Sequence, residues 1–326
     1  VTDFRMPVLD GIAVCREARR LAPDTVRIML TGQADREHLV EAINGGTIFR
    51  YVDKPWDNES LAEIVAEALV AHEGNVKRRR VTEENATLRQ AVHVAGEVQR
   101  SLLPAEQLPV EGDEAACSFT ACEHATGDYI DAMHLGDGRN VLLVGDVSGH
   151  GLGAALFVCT ARALLRSGLA EGGDLASVVA RTNRFLCRDM GDGRFLTLFA
   201  AVHDTSRGLL QYVNAGHTPP LVLGPGAPRE LERTGLPLGI LEDTSYAVAE
   251  RSLGEGETLF SCTDGLIEAR DAAGELFGTE RLVALLLSCR ELGTKDLVAR
   301  VRDVTLAFSP GATMDDDLAV LAYRPK

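Results

Sequence analysis

The chain has no run of apolar residues that approaches the length of a bilayer span, and its start carries no signal-peptide pattern, so the reading is a protein with no membrane partner. It has no C-x-x-C pair. Its seven cysteines stand singly, with no histidine at ligand spacing, which argues against a zinc site and a disulfide framework and fits reduced thiols in a cytoplasmic setting. Positive charge is scarce: 33 Lys and Arg face 48 Asp and Glu, a net of −15, so the surface as a whole repels nucleic acid. The one marked basic run, "KRRR" at 77–80, falls in a helical segment and reads as a solvated face. The chain opens on Val1 instead of a methionine, which reads as a fragment of a longer protein.

What is present is length and apolar content for two domains and a connector: 326 residues, 45% of them hydrophobic. Residues 1–72 alternate short aliphatic runs with helical patterns, including a helix over 35–45, as a parallel, doubly wound α/β sheet does. Asp3, Thr31 and Lys54 fall where the strands end, the edge at which such sheets bind ligands. "DFRMPVLDG", "MLTGQAD" and "YVDKPW" stand in the order and spacing of a response-regulator receiver domain, which the segment resembles. The resemblance implies a flavodoxin-like fold, here partial. It implies Asp3 as phospho-acceptor served by an upstream sensor histidine kinase, Thr31, Tyr51 and Lys54 as switch residues, and a cis Lys54-Pro55 bond. The family's first strand, its acidic pair and its second strand and helix all precede the phospho-acceptor, so the site is expected to be incomplete in this chain.

From Asn58 to about Leu103 no proline interrupts a helix-forming composition. Residues 73–103 read as a helical or coiled-coil linker. Val81, Asn85, Leu88, Val92, Ala95, Gln99 and Leu102 follow a 4-3-4-3-4-3 spacing, the seam of a short parallel homodimer through 81–102. Polar residues on that seam fit equally a single helix lying on its neighbours.

Residues 104–326 read differently, with short strands such as "NVLLVGD", "FLTLFAAVHD", "LLQYVNAG", "ETLFSCTD" and "DLAVLAYR" and helices at 151–167, 174–190 and 279–290. An α+β layered architecture follows, antiparallel sheets with helices outside. Acids mark the strand ends: Asp146, Asp264, Asp316 and Asp317, with Asp128 in "TGDYID". As separate turns they need no ligand, since Asp is a common turn residue. As a converging set their repulsion calls for hard divalent cations, Mg²⁺ or Mn²⁺.

"QRSLLP", "TGDYID", "GDVSGHGLGAAL", "NAGHTPPL", "GLPLG", "TDGLIEARD" and "DDLAVL" occur in the order found in SpoIIE-like members of the PPM-type, metal-dependent serine/threonine protein phosphatases, which this half resembles from about 97 to 324. The resemblance implies an α-β-β-α sandwich and two divalent cations, Mn²⁺ or Mg²⁺. Asp128, Asp146, Asp264 and Asp316 would be the catalytic carboxylates and metal ligands, joined by the backbone carbonyl of Val147. "TGD" stands where the family usually has two glycines before the acid. The register of "DDD" at 315–317 favours Asp316 as ligand with Asp317 after it, and Asp131 lies outside the set. His150 and His217 read as turn residues. Ser148 lacks the G-x-S-x-G elbow of a nucleophile.

The function implied is hydrolysis of phosphoserine or phosphothreonine on a protein, by resemblance a phosphorylated STAS-type anti-sigma-factor antagonist, in a response regulator whose receiver acts through the connecting helix. The rival readings are a catalytically silent pseudophosphatase serving as a phospho-regulated binding module, and a DNA-binding regulator, which the acidic charge and the lack of a helix-turn-helix tail disfavour.

Overall fold

A computed structural model describes residues 1–32, 43, 45–104, 106–120, 125–149, 151–189, 193–309 and 316–326. The chain divides into two compact units, Val1–Gln90 and Ala91–Lys326. The helix expected over 35–45 falls almost wholly outside the described residues, as do His150 and Asp315.

The first unit is built on a three-stranded parallel sheet, β1 (Thr2–Asp3), β2 (Ile28–Thr31) and β3 (Arg50–Asp53), with β2 in the middle. Helix α1 (Gly11–Leu21) starts where the carboxylate of Asp10 accepts the Ala13 N–H at 2.7 Å, an N-cap bond. Met29 and Cys15 bury against Ile48 on one face of the sheet; Ile28, Val52 and Ala68 bury on the other. That two-sided burial is why β2 reads as an unbroken apolar run.

Helix α2 (Asn58–Leu102) runs 45 residues without a break, through the boundary at 72–73 drawn from the sequence, and the division between the units falls within it. Its basic run is a solvated, ion-paired face: Arg79 meets Asp24 at 2.8 Å and Arg80 meets Glu84 at 2.8 Å. The seam needs a correction. Val81 and Leu88 are exposed, but Gln99 is 3% exposed, and its amide is spent on the main chain of Thr126. A buried amide that satisfies its own domain is not available to a partner helix.

The second unit is a sandwich of two five-stranded antiparallel sheets. One sheet holds β4 (Glu114–Thr120), β9 (Leu221–Leu223), β10 (Arg229–Glu230), β12 (Thr258–Cys262) and β13 (Leu318–Arg324), ordered β10-β9-β12-β13-β4. The other holds β5 (Asp128–His134), β6 (Arg139–Val147), β7 (Leu196–Asp204), β8 (Leu209–Ala215) and β11 (Ala249–Ser252), ordered β11-β8-β7-β6-β5. Ile130, Leu142, Val144 and Phe199 meet Leu259, Ala319, Leu321 and Tyr323 between the sheets. The alternate residues Tyr129, Val141 and Leu143 face outward onto α3 (Leu152–Ala170) and α4 (Leu175–Asp189). Behind the other sheet lie the short α5 (Asp264–Ile267), then α6 (Gly278–Ser288) and α7 (Thr294–Phe308). The order of layers is α-β-β-α, each strand dividing its side chains between an inner and an outer core.

Helix α3 corrects one sequence expectation, because by length and composition it is apolar enough to cross a membrane. Here Ala154, Phe157, Val158, Ala161 and Leu165 bury that character against the sheet. It is anchored there by charge as well: Asp131 on β5, almost fully buried, meets Arg166 at 2.5 Å and Arg162 at 3.2 Å.

One end of the sandwich is tied by a polar network. Tyr323 hydrogen-bonds to Asp113 and lies 2.6 Å from His203 Nδ1, and Asn140 donates to Asp113 at 2.9 Å. Asn140 and Tyr323 stand at the far ends of β6 and β13 from Asp146 and Asp317, so the acidic strand ends gather at the opposite pole.

Candidate metal centre

In the first unit the carboxyl ends of three parallel strands bring the expected phospho-acceptor and one expected switch residue into contact. Lys54 Nζ donates to Asp3 Oδ2 at 2.6 Å, and this bond holds the Asp3 carboxyl below its ordinary range. Thr31 ends β2, fully buried, with its carbonyl accepting the Lys54 N–H at 2.8 Å; Tyr51 pairs with Met29 in the ladder, half-buried. The Lys54-Pro55 bond is cis.

In the second unit Asp128 and Asp146 are directly opposed in the β5–β6 ladder, where side chains of paired residues share a face. They are close enough for the charge of Asp146 to raise the Asp128 carboxyl. Asp264 opens α5 one residue beyond Thr263, whose main chain continues the β12–β13 ladder by donating to the Ala319 carbonyl at 3.0 Å. Asp316 and Asp317 precede β13. Two neighbouring strands of each sheet, β5 and β6 in one and β12 and β13 in the other, therefore carry acids at one pole.

Two threonine–aspartate bonds lace the sheets there. Thr263 Oγ1 donates to Asp128 Oδ2 at 2.7 Å while accepting the Ala319 N–H at 3.0 Å. Thr126 Oγ1 donates to Asp317 Oδ2 at 2.5 Å while accepting the Asp128 N–H at 2.9 Å. Gln99 holds Thr126 from behind: its Nε2 donates to the Thr126 carbonyl at 2.7 Å and its Oε1 accepts the Thr126 N–H at 2.9 Å. Sequence reading assigned no role to Thr126 or Thr263 and placed Gln99 on a dimer seam; their signal was present, since each threonine directly precedes a Gly-Asp or Asp-Gly pair.

The electrostatics show what the packing costs. Burial pushes the Asp128 carboxyl well up, and the charge of Asp146 adds to it. Burial, then Asp264, Asp316 and Asp317, push Asp146 up to about 7; burial and then Glu268 raise Asp264. Among the described residues no group of three or more His, Cys, Asp or Glu side chains stands close enough to hold an ion as placed. Asp128 and Asp146 oppose each other in the ladder, while Asp264 and Asp316 act on Asp146 through charge.

The residues fit a pair of hard cations on two observations. The donors are carboxylates that raise one another's hold on a proton, the condition that a divalent ion relieves. The chain also leaves room beside the Val147 carbonyl: a Cβ on Gly127 would lie 2.9 Å from that oxygen and 3.1 Å from the Gly149 carbonyl, filling the space onto which both open.

His217 is buried, its N–H donating to Asn214 Oδ1 at 2.9 Å and its Nδ1 3.0 Å from Thr197 Oγ1; burial pushes its imidazole down to about 3. It is a neutral structural group at neutral pH. Ser148 exchanges bonds with the main chain of Phe195, its Oγ accepting the Phe195 N–H at 3.0 Å, which ties down the turn after β6.

Comparison with known proteins agrees with this architecture. Residues 136–326 match the family model for stage II sporulation protein E (SpoIIE), and residues 1–66 match that for the response regulator receiver domain. Protein IcfG of Synechocystis is 29% identical over 257 residues, 70% of this chain and 40% of its own. The phosphoserine phosphatase RsbU of Bacillus subtilis is 24% identical over 241 residues, 73% of this chain and 71% of its own. The crystal structure of the RsbU and RsbW domains of Rv1364c from Mycobacterium tuberculosis aligns with a TM-score of 0.59 at 30% identity, covering 67% of this chain and 63% of that one. The chain thus spans about two fifths of IcfG and just under two thirds of the Rv1364c chain. With its acid-tipped sandwich and the SpoIIE match over most of its length, the chain belongs to the SpoIIE family and carries a response-regulator receiver segment ahead of that domain.

Proposed function

We propose that the second unit is a metal-dependent protein phosphatase acting on phosphoserine or phosphothreonine. The observation that carries this reading is the in-register pair of the buried Asp128 and the half-buried Asp146, with the charge of Asp146 raising Asp128 and those of Asp264, Asp316 and Asp317 raising Asp146. Asp128, Asp146, Asp264, Asp316 and the carbonyl of Val147 would hold two divalent cations, Mn²⁺ or Mg²⁺. Bound there, the pair would supply an acidified water and neutralise phosphoryl oxygens. The protein's own share is to hold the acids in place: Thr263 orients Asp128, and Gly127 keeps space open beside Val147.

The substrate proposed is a phosphorylated STAS-type anti-sigma-factor antagonist, a reading supported by the similarity to RsbU. The receiver would be phosphorylated on Asp3 by a sensor histidine kinase in the cytoplasm, with α2 as the element it biases and a homodimer through 81–102, on exposed seam positions such as Val81 and Leu88 and without Gln99, as the assembly. Incubating the protein with such a phosphorylated antagonist and Mn²⁺ tests the reading: loss of phosphate from the partner is expected. Stable binding without phosphate loss would favour the pseudophosphatase instead.

A further inference from the structure

We infer that Thr126 is a positioning residue that assigns different tasks to the adjacent acids Asp316 and Asp317, holding Asp317 as a structural clasp and leaving Asp316 to meet the cations. The inference rests on the metal-dependent reading above. Thr126 is 1% exposed and its hydroxyl has one hydrogen, which goes to Asp317 Oδ2 at 2.5 Å. Its oxygen accepts the Asp128 N–H at 2.9 Å, so the hydroxyl links one acid to the main chain of another. The residue cannot turn away, because the Gln99 amide holds both its N–H and its carbonyl.

Asp317 is correspondingly fixed. It is 4% exposed, and the same Oδ2 also accepts the Gly127 N–H at 3.2 Å. Its own carbonyl lies 1.9 Å from where a Cβ on Gly265 would be, so the main chain of Asp317 is pressed against the first turn of α5. Asp316 is exposed, with Oδ1 accepting the Asp317 N–H at 2.8 Å. Of two neighbouring carboxylates, one is buried behind two donors and the other stands at the rim.

The chemistry separates the two roles. The Thr126 hydroxyl and the Gly127 N–H reach the same oxygen of Asp317, and one amide oxygen has lone pairs for both, so Asp317→Asn can keep these two bonds. A carboxylate that meets a hard cation needs its charge, so Asp316→Asn cannot replace it. Thr126→Val keeps the shape of Thr126 but loses its hydroxyl, whereas Thr126→Ser keeps the donor.

The test is Mn²⁺ binding to the whole chain, followed by the electron paramagnetic resonance of free Mn²⁺, with thermal unfolding recorded for each variant. Asp317→Asn and Thr126→Ser are expected to bind within about threefold of the wild type, Thr126→Val about tenfold more weakly, and Asp316→Asn more weakly still. Losses in Asp317→Asn as deep as in Asp316→Asn would overturn the division of roles, as would wild-type binding by Thr126→Val. Wild-type binding by Asp146→Asn would instead strike the metal-dependent reading itself.

Discussion

Thr263 reaches across from the end of one sheet to donate its hydroxyl hydrogen to Asp128 on the other, at 2.7 Å, while the Ala319 N–H fills its lone pair. Thr263→Val removes both at once and leaves a buried N–H and a buried carboxylate oxygen without that partner. The expected cost is about 1–3 kcal/mol in urea denaturation, with Thr263→Ser close to the wild type.

Asp128 is buried among like charges, so without metal it should work against folding. Asp128→Asn keeps an oxygen for the Thr263 hydroxyl and removes the charge. In chelator it should be more stable than the wild type by about 1–2 kcal/mol, and adding Mn²⁺ should stabilise the wild type and leave the variant nearly unchanged. Thermal unfolding with and without Mn²⁺ reads both effects.

His217 gives a pH dependence of definite sign. Its folded value of about 3 lies below the ordinary value near 6.5, so below that pH the unfolded chain takes up a proton that the folded one refuses. Its contribution to stability is complete above pH about 6.5 and is lost as pH falls towards 3, at a limiting slope of about 1.4 kcal/mol per pH unit. Denaturation midpoints of wild type and His217→Gln, compared across that range, should converge as the pH is lowered.

Asp131 tests the anchoring of α3. Asp131→Ala leaves the guanidinium groups of Arg162 and Arg166 against the sheet without their anion, and a loss of about 3–5 kcal/mol is expected for breaking one side of a buried ion pair. A loss below 1 kcal/mol by chemical denaturation would mean that the apolar face of the helix suffices.

The fold was legible where the pattern of side chains carried one period. The five strands named from the sequence and three helices of the second unit stand near their expected places, because alternation and helical spacing survive in them. β5 was harder to see, since Asp128, Asp131 and His134 interrupt its apolar residues and Asp131 is buried only because arginines from α3 come to meet it. α7 was missed because its apolar face is split by Lys, Asp and Arg residues along "TKDLVARVRDVTLAF". In the site, the acids could be found from their strand-end positions; the threonines stood visibly beside a Gly-Asp and an Asp-Gly pair, but their role could not be read, because it lies in which acid of the opposite sheet each one reaches. Gln99 shows the same limit: spacing put it on a seam, while tertiary structure turned it inward to Thr126.

The most direct test is steady-state hydrolysis of p-nitrophenyl phosphate by the wild type and Asp146→Asn, titrated with Mn²⁺ after removal of all metal. Wild-type turnover should be absent in chelator and rise with Mn²⁺ to saturation, and Asp146→Asn should stay at least about 100-fold lower at the same Mn²⁺. Turnover that ignores Mn²⁺, or that Asp146→Asn retains in full, would contradict the account.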